Sequence, residues 1–133
     1  MRRTIHAVAA DERGSAVAEF TLVGILLTVL ALAVVQLALA LHVRNTLLDA
    51  AAEGARYAAL AGSSRADGVA RTKDLIAAAV SAEYAQDVTT GVTTIGGVPV
   101  VEVTVRATLP VVGLLGLQRG LEVSGHAAIE LSE

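Results

Sequence analysis

The chain has 133 residues, of which 54% are hydrophobic and only 2% aromatic, with a formal net charge of -3 and no cysteine. This length leaves room for one small domain and one further segment, because domains commonly run to about 100–150 residues. The acidic balance disfavours nucleic-acid binding, and the shortage of aromatic residues argues against a large aromatic-lined ligand pocket. The absence of cysteine excludes thiol catalysis and thiolate metal ligation.

A short basic stretch precedes a long apolar run near the N-terminus. Arg2, Arg3 and Arg13 come first, and the residues from Phe20 to Val43 then carry no formal charge. A helix with a rise of about 1.5 Å per residue would cover roughly 36 Å over this run, slightly more than the ~30 Å hydrocarbon core of a bilayer. We therefore predict a single membrane-spanning helix. The basic flank favours an N-terminus inside and a C-terminal part outside the cytoplasmic membrane.

One acidic residue, Glu19, stands at the mouth of this apolar run. A carboxylate in a membrane helix costs on the order of 2.5–3.5 kcal/mol at the bilayer centre and less near the interface, so such residues usually have a partner. Arg13 lies outside the i, i+3 and i, i+4 spacings at which helix side chains meet. If the chain were cut after Gly14, the new α-amino group of Ser15 would lie at nearly the depth of Glu19, because four helical steps are about 6 Å. A neighbouring subunit could offer that amine.

These residues resemble the class III leader of type IV prepilins and pseudopilins. Such leaders end in glycine, are cut after it, and place glutamate at the fifth mature position ahead of a long apolar helix. The matching residues are Gly14, Ser15, Glu19 and Phe20. Ser15 departs from the phenylalanine usual in type IVa pilins, whereas Glu19 followed by Phe20 is similar to the tight-adherence (Tad, Flp) branch.

A second segment resembles the same branch. The stretch Ala51–Ala59 is similar to the GAR-x-A segment of TadE-like minor pilins, which follows the membrane helix at about this distance. Its candidate intersubunit contacts are Gly54, Arg56 and Tyr57. Together the two motifs cover roughly the first 60 residues, and the chain is identified by resemblance as a TadE-like minor pilin or pseudopilin of a tight-adherence (type IVc) pilus.

The resemblance implies insertion by the general secretory machinery, processing by an aspartic prepilin peptidase, and a role in assembling a filament built mainly of another pilin. The implied partners are the peptidase, the major Flp-type pilin, other minor pilins, the inner-membrane assembly platform and the membrane. Two other classes stay open: a permanently anchored membrane protein with a small extracytoplasmic binding domain, and a conventionally secreted protein. The apolar run is much longer than the ~7–15 residues usual in a secretory signal, which argues against secretion.

Beyond the apolar run, the helical pattern continues to about Ala61 and stops at Gly62. The outer half of this helix is rich in small residues, which let helices approach closely. It is expected to pack among pilin helices in a filament, to lie on its own small domain, or both. Arg65–Tyr84 reads as a second helix, whose apolar side comprises Val69, Ile76, Val80 and Tyr84.

From Asp87 onward the apolar pattern changes to a period of two residues. Val88–Ile95, a hairpin turn at Gly96-Gly97, the alternating run Val101–Leu109 and a further alternating run Leu121–Leu131 predict a roughly three-stranded antiparallel sheet. Its apolar face needs the second helix or the end of the first as a cover.

The expected fold is therefore α+β, with a leader at residues 1–14, a transmembrane and assembly helix at 15–62, and a small extracytoplasmic head at 63–133. The apolar segment Pro110–Leu117 is expected to be a loop folded onto the core, or else an exposed patch for a partner or the membrane surface.

The sequence contains no motif that indicates a catalytic site. Histidines occur only as His6, His42 and His126, and no two fall at a zinc-ligand spacing. The glycine pairs lack the setting of a phosphate loop, and the serines lack a nucleophile elbow. We expect no metal, no cofactor and no enzymatic activity.

Overall fold

The computed structural model describes residues 3–109 and 120–130, with side chains from residue 12 onward in those ranges. The fold is α+β, as the sequence predicted. The described residues form two helices, a 3₁₀ turn at Ala82–Ala85 and three strands: α1 Arg3–Ala59, α2 Arg65–Ala79, β1 Asp87–Ile95, β2 Val98–Thr108 and β3 Gly120–Ala128. The chain forms two compact units, Met1–Ala38 and Leu39–Glu133.

Helix α1 begins earlier than expected. It starts at Arg3 rather than near Ser15, so the stretch expected to be the leader is helical as well. Nothing in that stretch forbids a helix, because it holds no proline and its one glycine costs only about 1 kcal/mol relative to alanine. Helix α1 ends at Ala59, close to the expected stop, and Gly62 then adopts a positive φ of 86°.

Helix α2 begins with a capping box. The Asp67 N–H donates to Ser64 Oγ at 3.1 Å, and the Ser64 N–H donates to Asp67 Oδ2 at 2.8 Å. This reciprocal pair satisfies two N–H groups that would otherwise lack partners at the helix start. The Ser64 hydroxyl, at 2.7 Å, and then the Ser64 N–H hold the pKa of Asp67 below its ordinary value.

The expected extent of α2 was wrong at its C-terminal end. The helix stops at Ala79 instead of continuing to Tyr84. Ser81 instead caps the 3₁₀ turn, because its Oγ accepts the Glu83 N–H at 3.3 Å. The expected apolar side is confirmed in part: Ile76 is buried, and Val69, Val80 and Tyr84 are partly buried against the core. The buried face of α2 also includes Gly68 and Thr72, which were not expected there.

The three strands form an antiparallel sheet in the order β1-β2-β3. Both pairings keep an uninterrupted register. The turn between β1 and β2 consists of Gly96 and Gly97, whose φ angles of 58° and 83° are those that a two-residue type I′ hairpin turn requires. The hairpin predicted from the sequence is therefore confirmed.

The core of the second unit lies between one face of the sheet and the helices. Both expected covers contribute, since the part of α1 from Val43 onward and α2 supply buried residues to one cluster with the strands. A second, smaller cluster joins Ala58 and Ala59 of α1 to Val101 of β2. The largest fully buried apolar side chains are Val43, Leu47, Ile76, Val103 and Val105.

The opposite face of the sheet carries polar cross-strand pairs between β2 and β3. They are Glu102–His126 at 2.6 Å, Thr104–Ser124 at 2.9 Å and Arg106–Glu122 at 2.7 Å. This alternation is the one predicted for Val101–Leu109. The segment Pro110–Leu117 and Leu131 lie outside the described residues.

Candidate processing and assembly site

The predicted cleavage residues lie on an exposed part of α1. Gly14, Ser15, Glu19 and Phe20 are all exposed, and Phe20 is 80% so. A Cβ added at Gly14 would meet no atom within 4 Å. Packing among the described residues therefore does not require glycine at this position, and the reason for glycine must be sought elsewhere.

Glu19 has one described partner, which is a neutral one. Its Oε1 accepts a hydrogen bond from Ser15 Oγ at 3.4 Å, the longer end of hydrogen-bond geometry. Among the side chains described from residue 12 onward, no basic group forms an ion pair with Glu19. Within the described residues, Glu19 is therefore a carboxylate without a counter-charge, which another chain or a new terminus could supply.

The helix that follows is long and apolar enough to cross a membrane. Its most apolar window has a mean hydropathy of 2.7, and none of that window is buried against the rest of the chain. Two of its polar side chains bond to the helix itself: the hydroxyls of Thr21 and Thr28 donate to the carbonyls of Val17 and Gly24, each at 2.8 Å. Internal bonds of this kind suit a helix surrounded by lipid, where water is absent.

Gly54 lies where α1 and α2 are in close contact. A Cβ added there would lie 2.7 Å from the carbonyl oxygen of Gly68 and would collide with Thr72 Oγ1. A Cβ added at Gly68 would likewise lie 2.6 Å from the Gly54 carbonyl oxygen. Gly54 thus serves a contact within its own chain. Sequence reasoning missed this crossing, although Gly68 in the first turn of α2 was a signal that could have indicated it.

Arg56 and Tyr57 remain on the surface of the second unit. The Arg56 side chain is 71% exposed and lies 3.9 Å from Glu53, a loose i, i+3 pair of the kind that contributes little to stability. Arg56 also borders an open groove of about 420 Å³ between α1 and α2, which Asp49 and Glu53 line as well. Unlike Gly54, these two side chains are free to contact another subunit.

The described part of the chain contains no candidate metal site. No group of three or more histidine, aspartate or glutamate side chains is placed to hold an ion there.

These features define a class: an α+β protein whose one apolar N-terminal helix fits a single-pass membrane protein. Residues 14–56 match the model of the TadE-like protein family, over about a third of the chain. This match confirms the resemblance to TadE-like proteins seen in the sequence, and it is consistent with a TadE-like pilin of the Tad pilus system. The matched range begins at Gly14 and includes Glu19 and Arg56. No curated protein and no solved structure matched the chain.

Proposed function

We propose that this protein is a minor pilin or pseudopilin of a tight-adherence (type IVc) pilus, cut after Gly14 and acting in filament assembly. The observation that carries the proposal is the extent of the TadE-like match, which starts at Gly14 and takes in both Glu19 and the exposed apolar helix behind it. A family match that begins at the expected cleavage residue supports a mature protein starting at Ser15.

The proposed processing step is hydrolysis of the peptide bond between Gly14 and Ser15 by an aspartic prepilin peptidase. The C–N bond breaks, the oxygen of water joins the carbonyl carbon of Gly14 to give a carboxylate, and the nitrogen of Ser15 becomes a protonated α-amine. The reaction therefore creates a positive charge four residues before Glu19, which forms no ion pair with any described side chain.

In the proposed assembly step, the α-amine of a neighbouring subunit pairs with Glu19 while the apolar parts of the two helices pack together. An ammonium and a carboxylate attract strongly when water is excluded. Removing one partner of such a pair leaves the other without compensation, which is costly. The charge pair would thus favour subunits aligned at the same depth over misaligned ones.

The proposed orientation places the N-terminus in the cytoplasm and the second unit outside, held in the cytoplasmic membrane or incorporated in the surface pilus. Arg56 and Tyr57 are then available to the major Flp-type pilin, to other minor pilins or to the inner-membrane assembly platform. Their exposure on α1 supports this role.

N-terminal sequencing and intact mass of the protein from its native membrane test the proposal most directly. We expect a mature chain beginning at Ser15, and we expect Gly14→Leu to leave the leader in place, because peptidases of this kind need a small residue there. A chain beginning near Leu41 would instead indicate secretion through a conventional signal. An uncut chain would indicate a permanent anchor, and either result would overturn the pilin proposal.

A further inference from the structure

We propose that Gly14 also sets the rate of processing, by weakening α1 so that the helix can open around the scissile bond. The peptidase would then act on a locally unwound chain, and the population of that open state would depend on the helix propensity of the surrounding turn. This inference rests on the proposed cleavage between Gly14 and Ser15 and concerns how that site is regulated.

The peptide bond between Gly14 and Ser15 lies inside a helix. Helix α1 runs without a break from Arg3 to Ala59, so Gly14 and Ser15 have more than two turns of helix on each side. In an α-helix the carbonyl of each residue accepts the N–H of the residue four positions later, which pairs the Gly14 carbonyl with the Ala18 N–H. A peptide recognised in extended form offers its main-chain groups to its partner. The helical bonds around Gly14 must therefore break before an enzyme can use those groups.

The helix around Gly14 is stabilised only by interactions within the helix itself. Residues 12–20 are all exposed, and a Cβ at Gly14 would meet no atom within 4 Å. Most helical stability in proteins comes from tertiary packing, and short helical stretches without it are marginal. The part of α1 in the second unit differs, because Leu47 is fully buried there and Gly54 lies in close contact with α2.

Among the residues other than proline, glycine lowers helix stability most. Its conformational freedom in the unfolded chain makes a glycine about fivefold less favourable to helix than alanine at an exposed interior position. Where opening is fast relative to cutting, the rate of proteolysis follows the population of the open state. Gly14 therefore increases the share of molecules from which the peptide bond can be cut.

Gly24 provides a matched comparison with Gly14 on the same helix. A Cβ at Gly24 would also meet no atom within 4 Å, so Gly24→Ala changes helix propensity without a clash, as Gly14→Ala does. Gly24 lies within the apolar run, where backbone groups have no water to turn to and opening is strongly disfavoured. Its replacement should leave processing unchanged.

The test measures the rate at which a tight-adherence prepilin peptidase releases the Ser15 N-terminus from the full-length protein in detergent micelles. Gly14→Ala keeps a small residue at the cleavage site but should slow release by about fivefold or more. Ala16→Gly and Ala18→Gly keep Gly14 and should each speed release, by up to about fivefold. The double variant Gly14→Ala with Ala16→Gly should return to within about twofold of the wild-type rate, and Gly24→Ala should match the wild type.

Amide hydrogen exchange over residues 12–18, measured without the peptidase, gives an independent reading of helix opening. We expect exchange and cleavage rates to change in proportion across the variants. A double variant as slow as Gly14→Ala, or variants that exchange faster without being cut faster, would overturn the role of unwinding and leave only the size of residue 14 as important. A wild-type protein that is not cut after Gly14 at all would overturn the proposed function itself, so the two failures are distinguishable.

Discussion

Gly14 and Gly24 in the first unit have open space around them, whereas Gly54 and Gly68 in the second unit lie where α1 and α2 cross. The threonines differ between the units in a similar way. Thr28 is exposed and bonds to the backbone of its own helix, whereas Thr72 is fully buried at the helix crossing, although it too bonds to its own helix, through the Gly68 carbonyl at 2.9 Å.

This difference shows which part of the chain buries its apolar residues within itself. The second unit buries an apolar cluster among its own helices and strands, and in the part of the chain whose side chains are described, no buried side-chain nitrogen or oxygen lacks a hydrogen bond. The side chains described in the first unit are all exposed, although most of them are apolar. A helix of that kind needs lipid or other helices around it. The first unit is therefore the part of the molecule that is organised for contact with its surroundings.

The largest expected effect comes from cutting the chain near the boundary between the units. A fragment beginning at Leu39 should fold as a monomer with mixed helix and strand in its circular dichroism spectrum, because it keeps the whole buried cluster. A fragment beginning at Ser64 should fail to fold, since it loses Leu47, Ala51 and the rest of the α1 contribution to the core.

A third fragment sharpens the position of that boundary. Starting at Asn45 removes Val43, which is only 1% exposed, and should lower the free energy of unfolding by about 1.5–3 kcal/mol relative to the fragment from Leu39. A folded fragment from Ser64, or a purely helical spectrum for the fragment from Leu39, would contradict the comparison between the units.

The next largest effect is expected for Glu19→Ala in cells. Loss of the carboxylate should leave processing intact, because the proposed cut depends on Gly14, but should remove the proposed charge partner of the neighbouring α-amine. A loss of a few kcal/mol in such a pair is about a hundredfold in the assembly equilibrium. Surface filaments and leader removal should be scored separately in the same strain. Glu12→Ala is the matched control for filament number, since the proposed cut removes Glu12 with the leader and its loss should leave the number of filaments unchanged. Normal filament numbers with Glu19→Ala would leave the charge pair without a role.

A smaller effect is expected for Gly54→Ala in the second unit. The added methyl group would press on the backbone carbonyl of Gly68, which cannot yield without moving α2, so the free energy of unfolding should fall by about 1–3 kcal/mol. Denaturant titration of the fragment from Leu39 measures this value. In the full chain, Gly24→Ala is the same replacement in the same helix, and it should leave the free energy of unfolding of the second unit unchanged. Equal effects at the two glycines would mean that close packing does not distinguish the units.

The smallest effect is expected for Ser64→Ala at the start of α2, which should lower stability by about 1 kcal/mol at neutral pH. Because hydrogen bonds from Ser64 hold the pKa of Asp67 below its ordinary value, their contribution is present above the ordinary pKa of an aspartate. It is lost as the pH falls through the lowered pKa, so the difference between wild type and Ser64→Ala should shrink in acid.

An NMR titration of the Asp67 carboxyl group checks this assignment, since its pKa should rise towards the ordinary value in Ser64→Ala. Asp74→Asn on the same helix lies away from the cap and serves as the stability control. An unchanged Asp67 titration in Ser64→Ala would show that the Ser64 hydroxyl is not the cause of the lowered pKa.

The sequence by itself determined the features that repeat with a regular period or depend on local chemistry. The apolar run after Glu19 predicted a helix able to span a membrane, because length and composition alone decide that capacity. The period of two residues predicted that Val103 and Val105 face the core while Thr104 and Arg106 face away, since successive strand side chains point to opposite faces. The two positive-φ glycines of the hairpin followed from turn chemistry.

Only the tertiary structure decided which surfaces of the helices meet. The apolar pattern after Arg65 predicted the burial of Ile76 and the contact of Val69, Val80 and Tyr84 with the core. It did not predict that Gly68 and Thr72 are buried, because the close approach of α1, which leaves room there only for small side chains, depends on both helices. The role of Gly54 as a crossing point could not be read from its neighbours in the sequence for the same reason. Periodicity reports which residues avoid water, whereas the distance between two backbones depends on both partners at once.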